Sequence, residues 1–144
     1  MNIASELITE GKKLRIIAKG YSMYPTIKPG YTVYLESYKS RDEVNPGDII
    51  ALKQNEIIIL HRIIFVFESE NKKYLMTRGD ASLTSDAPVE FNQIIGKAVL
   101  IETEKKKWEP VRVDFIPERK YLFNKRKVWV ILNFRKMIKI LRDG

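Results

Sequence analysis

The chain has 144 residues, with 26 Lys and Arg against 18 Asp and Glu, for a formal charge of +8. It contains no cysteine and a single histidine, His61. That excludes disulfides, thiolate catalysis, cysteine-bound zinc or iron–sulfur centres, and any histidine-rich metal site.

In chain order, short β-rich runs separated by turn residues account for the sequence up to about residue 115. Leu14–Ala18 is the first run, and a loop holding Gly20, Pro25, Pro29 and Gly30 follows it. Residues 31–38 alternate loosely and are rich in aromatic and β-branched side chains. Asn45-Pro46-Gly47-Asp48 is a turn, because proline pre-sets φ and glycine accepts positive φ. Residues 49–53 form the next strand, with a tight turn near Gln54-Asn55. Residues 57–68 form a long apolar strand interrupted only by His61-Arg62, and residues 73–77 are its hairpin partner across a short polar link. Residues 78–88 read as a polar loop, and residues 94–104 and 108–115 as two further strands.

Beyond Pro117 the period changes to that of a helix over residues 119–142. Val130, Phe134, Met137, Ile138 and Leu141 share one face, with Arg135, Lys136, Lys139 and Arg142 opposite. The fold class expected is mostly β: a β body over residues 1–117 and a basic amphipathic C-terminal helix over 118–144. Charge divides the chain a little earlier. Residues 1–104 carry 13 basic and 14 acidic side chains, whereas residues 105–144 carry 13 and 4.

His61 and Arg62, adjacent in a strand, point to opposite faces, so one of them meets the interior or a cleft. Attack by a serine on a carbonyl needs a hydroxyl on an exposed turn and a base within reach. It also needs a group that orients the base, and an N–H to receive the oxyanion. Ser22 in its Gly/Pro-rich loop, His61, and one of Asp80 and Asp86 supply these types.

The local contexts are more specific than the residue types. Gly20-Tyr21-Ser22-Met23-Tyr24-Pro25-Thr26-Ile27, followed by Pro29-Gly30, resembles the serine box of the signal peptidase I superfamily. Pro46-Gly47-Asp48-Ile49-Ile50-Ala51 resembles its second, structural box, and Leu60-His61-Arg62-Ile63-Ile64 its base box. Thr77-Arg78-Gly79-Asp80, with Asp86 further on, resembles the acidic box, and Ile95-Gly96-Lys97-Ala98-Val99 the closing strand. The resemblance covers about residues 14–102. Two positions depart from it: Tyr31 stands where an Asp is common, and Ala81-Ser82 replaces the Asn often found after Gly-Asp.

Histidine rather than lysine in the base box resembles the archaeal and endoplasmic-reticulum type. The resemblance implies the β body shared by signal peptidases and SOS-repressor proteases. It also implies a serine endopeptidase with Ser22 as nucleophile and His61 as base. Asp86 is implied as the orienting carboxylate, Asp80 as a second acidic residue that shapes the loop, and the Ser22 N–H as oxyanion donor. Met23 and Pro25, beside the serine, are candidate substrate-contacting residues. No cofactor or metal is implied. Small residues at the first and third positions before the cut are the preference carried by the resemblance.

The first twenty residues lack the apolar core of a secretory signal, and no apolar run approaches the ~18–20 residues that cross a bilayer. The expectation is a cytoplasmic enzyme that removes a leader from a peptide or small protein in trans. The dipeptides Ala-Gly and Cys-Gly, cut by self-cleaving repressors, do not occur. Three uses are open for the basic helix: peripheral membrane contact through residues 118–144, docking of a partner, or packing its apolar face on the body. The rival functions are a catalytically idle peptidase fold and a basic protein binding nucleic acid or membrane. Nucleic acid is the weaker of these, because the body that carries the boxes is near neutral.

Overall fold

The computed structural model describes residues 13–111 and 114–144. They form an antiparallel sheet of eight strands followed by one long helix. The strands are β1 (Leu14–Ile17), β2 (Thr32–Glu36), β3 (Ile49–Gln54), β4 (Ile57–Ser69), β5 (Lys72–Arg78), β6 (Val89–Glu90), β7 (Ile94–Glu102) and β8 (Trp108–Pro110). Helix α1 runs over Glu118–Asp143. The protein is therefore mostly β with a C-terminal helix. The strand expected over residues 108–115 is shorter, since β8 ends at Pro110. Residues 112 and 113 of that expectation lie outside the described residues, as do the first twelve of the chain.

Turn chemistry fixes the hairpins. Asn55 and Glu56 both take positive φ between β3 and β4, and Glu70 and Asn71 do so between β4 and β5. Two consecutive positive φ values match the twist of a two-residue hairpin. Gly47, at φ +98°, sits after Pro46 in the turn closed by the Asp48 N–H on the Asn45 carbonyl. A positive φ there is one that glycine alone adopts at low cost.

The strand order is β1-β2-β7-β3-β4-β5-β6, with β8 on the far end of β7. β7 joins the two halves, pairing with β3 through Ile94–Lys97 and with β2 through Lys97–Glu102. Alternation along β3 shows why both faces are covered. Ile49 and Ala51 enter one core with Met23, Ile27, Val33, Leu35 and Ile101. Ile50 and Leu52 enter a second core with Val44, Ile63, Leu75 and Val89.

The second and closing boxes meet across this sheet. Lys97 Nζ lies 3.0 Å from Asp48, and Tyr38 donates to the same carboxylate at 2.7 Å. Burial, and next the hydrogen bond to Asp48, push the Tyr38 hydroxyl far above the ordinary phenol range, so it stays a donor.

Only the first half of α1 is seated on the body. Tyr121, Asn124 and Val128 are buried, whereas the large apolar residues from Trp129 onward are exposed, apart from half-buried Ile131. The face that meets the body is thus not the apolar face marked by Val130, Phe134, Met137, Ile138 and Leu141. Among the described residues no helix is long and apolar enough to cross a membrane.

Candidate active site

Ser22 opens a tight turn between β1 and β2. The Tyr24 N–H bonds the Tyr21 carbonyl, and the Ile27 N–H bonds that of Met23. Met23 and Ile27 are sunk in the core, at 3% and 1% exposure, while Ser22 between them and the solvent is exposed. The loop is thus anchored by its apolar members and presents its hydroxyl outward. Thr26 anchors it again by donating to Asp80 at 2.6 Å.

His61 occupies the point of β4 where pairing changes. Among the described residues, 57–61 pair only with β3, and the contact with β5 begins at Arg62. The two neighbours point opposite ways, as strand geometry requires. The His61 ring is half-buried toward the serine loop, and Arg62 is buried beneath.

Each meets a different carboxylate. His61 Nδ1 and Asp86 Oδ2 are 2.5 Å apart. The same oxygen accepts a bond from Thr77 at 2.7 Å, and the Asp86 N–H donates to the Thr77 carbonyl at 2.8 Å. Thr77 therefore folds the polar loop back and aims its acid at the histidine. Asp80 lies away from His61. Its two oxygens receive Nε and Nη2 of Arg62 at 2.9 and 2.8 Å, and both side chains are almost wholly buried. Sequence left open which aspartate reaches the base; geometry brings Asp86 to His61 and Asp80 to Arg62.

Gly79 lies where these parts meet. The Ala81 N–H holds the Ser22 carbonyl at 2.9 Å across the loop. A Cβ on Gly79 would stand 2.7 Å from that carbonyl, 2.7 Å from Ser82 Oγ and 3.1 Å from His61 Nε2. So the backbone of Ser22 and the free ring nitrogen of His61 flank one glycine. Ser22 Oγ and His61 Nε2 are not themselves hydrogen-bonded among the described residues. Gly79→Ala is expected to lower stability by about 1–3 kcal/mol, because the methyl group presses on fixed backbone. Urea unfolding followed by circular dichroism checks this, and a change below about 0.5 kcal/mol would mean that the loop gives way freely.

Helix α1 also takes part. Asn124 donates to the Asp80 carbonyl at 2.9 Å. Arg78 lies 3.6 Å above the centre of the Tyr121 ring, pairs with Glu118, and donates to the carbonyls of Ser82 and Leu83. Burial, followed by the nearby Asp80 charge, raises the Tyr121 hydroxyl above the phenol range. The residue 118 boundary therefore cuts through contacts that hold the loop next to Ser22.

A groove of about 620 Å³ runs up to Ser22. Ile16–Gly20 form one wall, Glu56–Leu60 the other, and Met23 and Ile27 the floor. Pro25 lies elsewhere, in a second cavity with Thr26, Arg62 and Asn124. Of the two expected substrate contacts, only Met23 lines the groove. Among the described residues, no three His, Asp or Glu side chains converge as a metal site.

Thr77, Gly79, Arg78 and Asn124 carried no functional assignment from sequence. Gly79 had a signal in its place within the acidic box. The roles of Thr77, Arg78 and Asn124 depend on partners distant in the chain. No protein-family model matches this sequence, and no curated protein is detectably similar to it.

Proposed function

We propose that the chain is a serine endopeptidase of the signal-peptidase type with a histidine base, cutting a leader from a peptide or small protein. The observation that carries this reading is the His61–Asp86 pair, which leaves His61 Nε2 facing Gly79 and the Ser22 turn at the end of a peptide-sized groove. The strand order, with the serine loop between β1 and β2 and the base on β4, supports the peptidase-like fold.

In the proposed cycle Ser22 Oγ attacks the scissile carbonyl, and His61 Nε2 takes its proton. A histidine, with an ordinary pKa near ~6.5, accepts a proton at neutral pH without the deep burial that a lysine base needs. Asp86 holds the Nδ1–H and offsets the imidazolium charge. The Ser22 N–H receives the oxyanion. His61 then gives the proton to the leaving amine, and water attacks the acyl group by the reverse route. The groove walls suit an extended substrate. Among the described residues β1 pairs only with β2, and residues 57–61 of β4 only with β3, so each wall has a strand edge for main-chain bonding.

Asp86→Asn tests the arrangement, because an amide holds the imidazole in the wrong tautomer while keeping its size. We expect kcat/KM on a mapped peptide substrate to fall about 10⁴-fold with the fold intact. Wild-type kinetics in that variant would remove the role given to the carboxylate.

A further inference from the structure

We infer that the outward stripe of α1 is a docking surface for an anionic lipid bilayer interface. The stripe consists of Phe123, Val130, Phe134, Met137, Ile138 and Leu141, spaced so that they fall on one side of a helix of 3.6 residues per turn. Each is between 47% and 74% exposed. The body-facing side is a different line of residues, Tyr121, Asn124 and Val128, continued by Arg135 over the Tyr21 ring. Residues 121 and 123, or 128 and 130, are two apart, which puts them on nearly opposite sides of the helix. The apolar stripe is therefore turned away from the sheet by the way the first turns are seated. Asn124 and Tyr121 fix that seating through Asp80 and Arg78.

Charge selects the occupant. Residues 118–143 hold nine Lys and Arg against Glu118 and Asp143. Arg126 borders the stripe, and Lys127 lies at its start, with its ammonium 4.7 Å from the Phe123 ring. Long basic side chains beside an apolar face reach anionic headgroups while their stems lie along the apolar surface. An amphipathic helix lying in the interface plane holds its apolar side ~5–10 Å below the headgroups. A second copy is disfavoured, because stripe-to-stripe pairing would bring two strongly cationic helices together. Nucleic acid would engage the basic side and leave the exposed apolar stripe in water. Because α1 passes over Tyr21, the surface it covers adjoins the serine loop.

This inference does not depend on peptidase activity, so the two can fail separately. The full chain is sedimented with vesicles of phosphatidylcholine alone and of equal parts phosphatidylcholine and phosphatidylglycerol. We expect recovery with the anionic vesicles only, weakened by salt. Phe134→Glu/Met137→Glu should reduce the partition coefficient about tenfold or more, and Arg126→Glu/Lys127→Glu should reduce it on anionic vesicles alone. All four residues are exposed, so circular dichroism and the unfolding midpoint should match wild type. Failure of the wild-type chain to sediment with anionic vesicles would overturn the inference. So would equal recovery of the Phe134→Glu/Met137→Glu chain, or loss of a concentration-dependent dimer in that variant without any vesicle effect.

Discussion

Asp80→Asn is expected to lower the free energy of unfolding by about 3–5 kcal/mol, the usual cost of breaking one side of a buried ion pair. The substitution keeps volume and removes charge, so little of the loss comes from a cavity. The Arg62 guanidinium, with its side chain 3% exposed, would remain below the surface without its carboxylate. The effect reaches beyond one pair because Asp80 ties three segments together. Its side chain receives Thr26 from the serine loop and Arg62 from β4, and its carbonyl receives Asn124 from α1. Far-UV circular dichroism in urea is the suitable readout, since Trp108 and Trp129 are 55% and 65% exposed and report poorly on the core. Replacing both Arg62 and Asp80 by apolar residues should recover much of the loss. A loss below about 1 kcal/mol in Asp80→Asn would show that the pair is not the staple described.

This role explains why two aspartates occur in one short loop without sharing a function. A carboxylate that pairs with a buried arginine cannot also orient a base on the opposite face of the same strand. His61 and Arg62 are neighbours in the chain, yet alternation sends them to different carboxylates. Had β4 slipped by one residue, the arginine would face the groove and the histidine the interior.

Much of this architecture is legible in the sequence because local chemistry specifies it. β-Branched and aromatic runs bounded by Pro-Gly and Asn-containing turns give β2 to β5 and β7 within a residue or two. Pro117 and the change of period give the start of α1. The two-residue strand β6 is too short to leave a pattern. The assignment of Asp86 to His61 rests on Thr77, which bends the loop through a backbone and a side-chain bond that no spacing rule encodes. Periodicity identifies the apolar stripe of α1 but not its direction. The body binds a line that includes Asn124, a polar residue that a hydrophobic pattern skips and that is buried by its bond to the Asp80 carbonyl. In the same way, Arg78 reads as a surface charge until its stacking on Tyr121 is seen.

On the proposed mechanism, loss of the Ser22 hydroxyl is the other large expected effect, in rate rather than stability. Ser22 is exposed, and its backbone, not its side chain, makes the bond to Ala81. Ser22→Ala should therefore unfold within about 0.5 kcal/mol of wild type, as exposed substitutions do. Removing a nucleophile that acts together with its base costs about 10⁴-fold or more in kcat. The direct measurement incubates wild type and Ser22→Ala with one peptide library and maps the cuts by mass spectrometry. Discrete cuts following small residues are expected with the wild-type chain, and no cuts with the well-folded variant. Cleavage at the same bonds and the same rate by Ser22→Ala, or no cleavage by the wild-type chain of any peptide able to fill the groove, would contradict the proposed function.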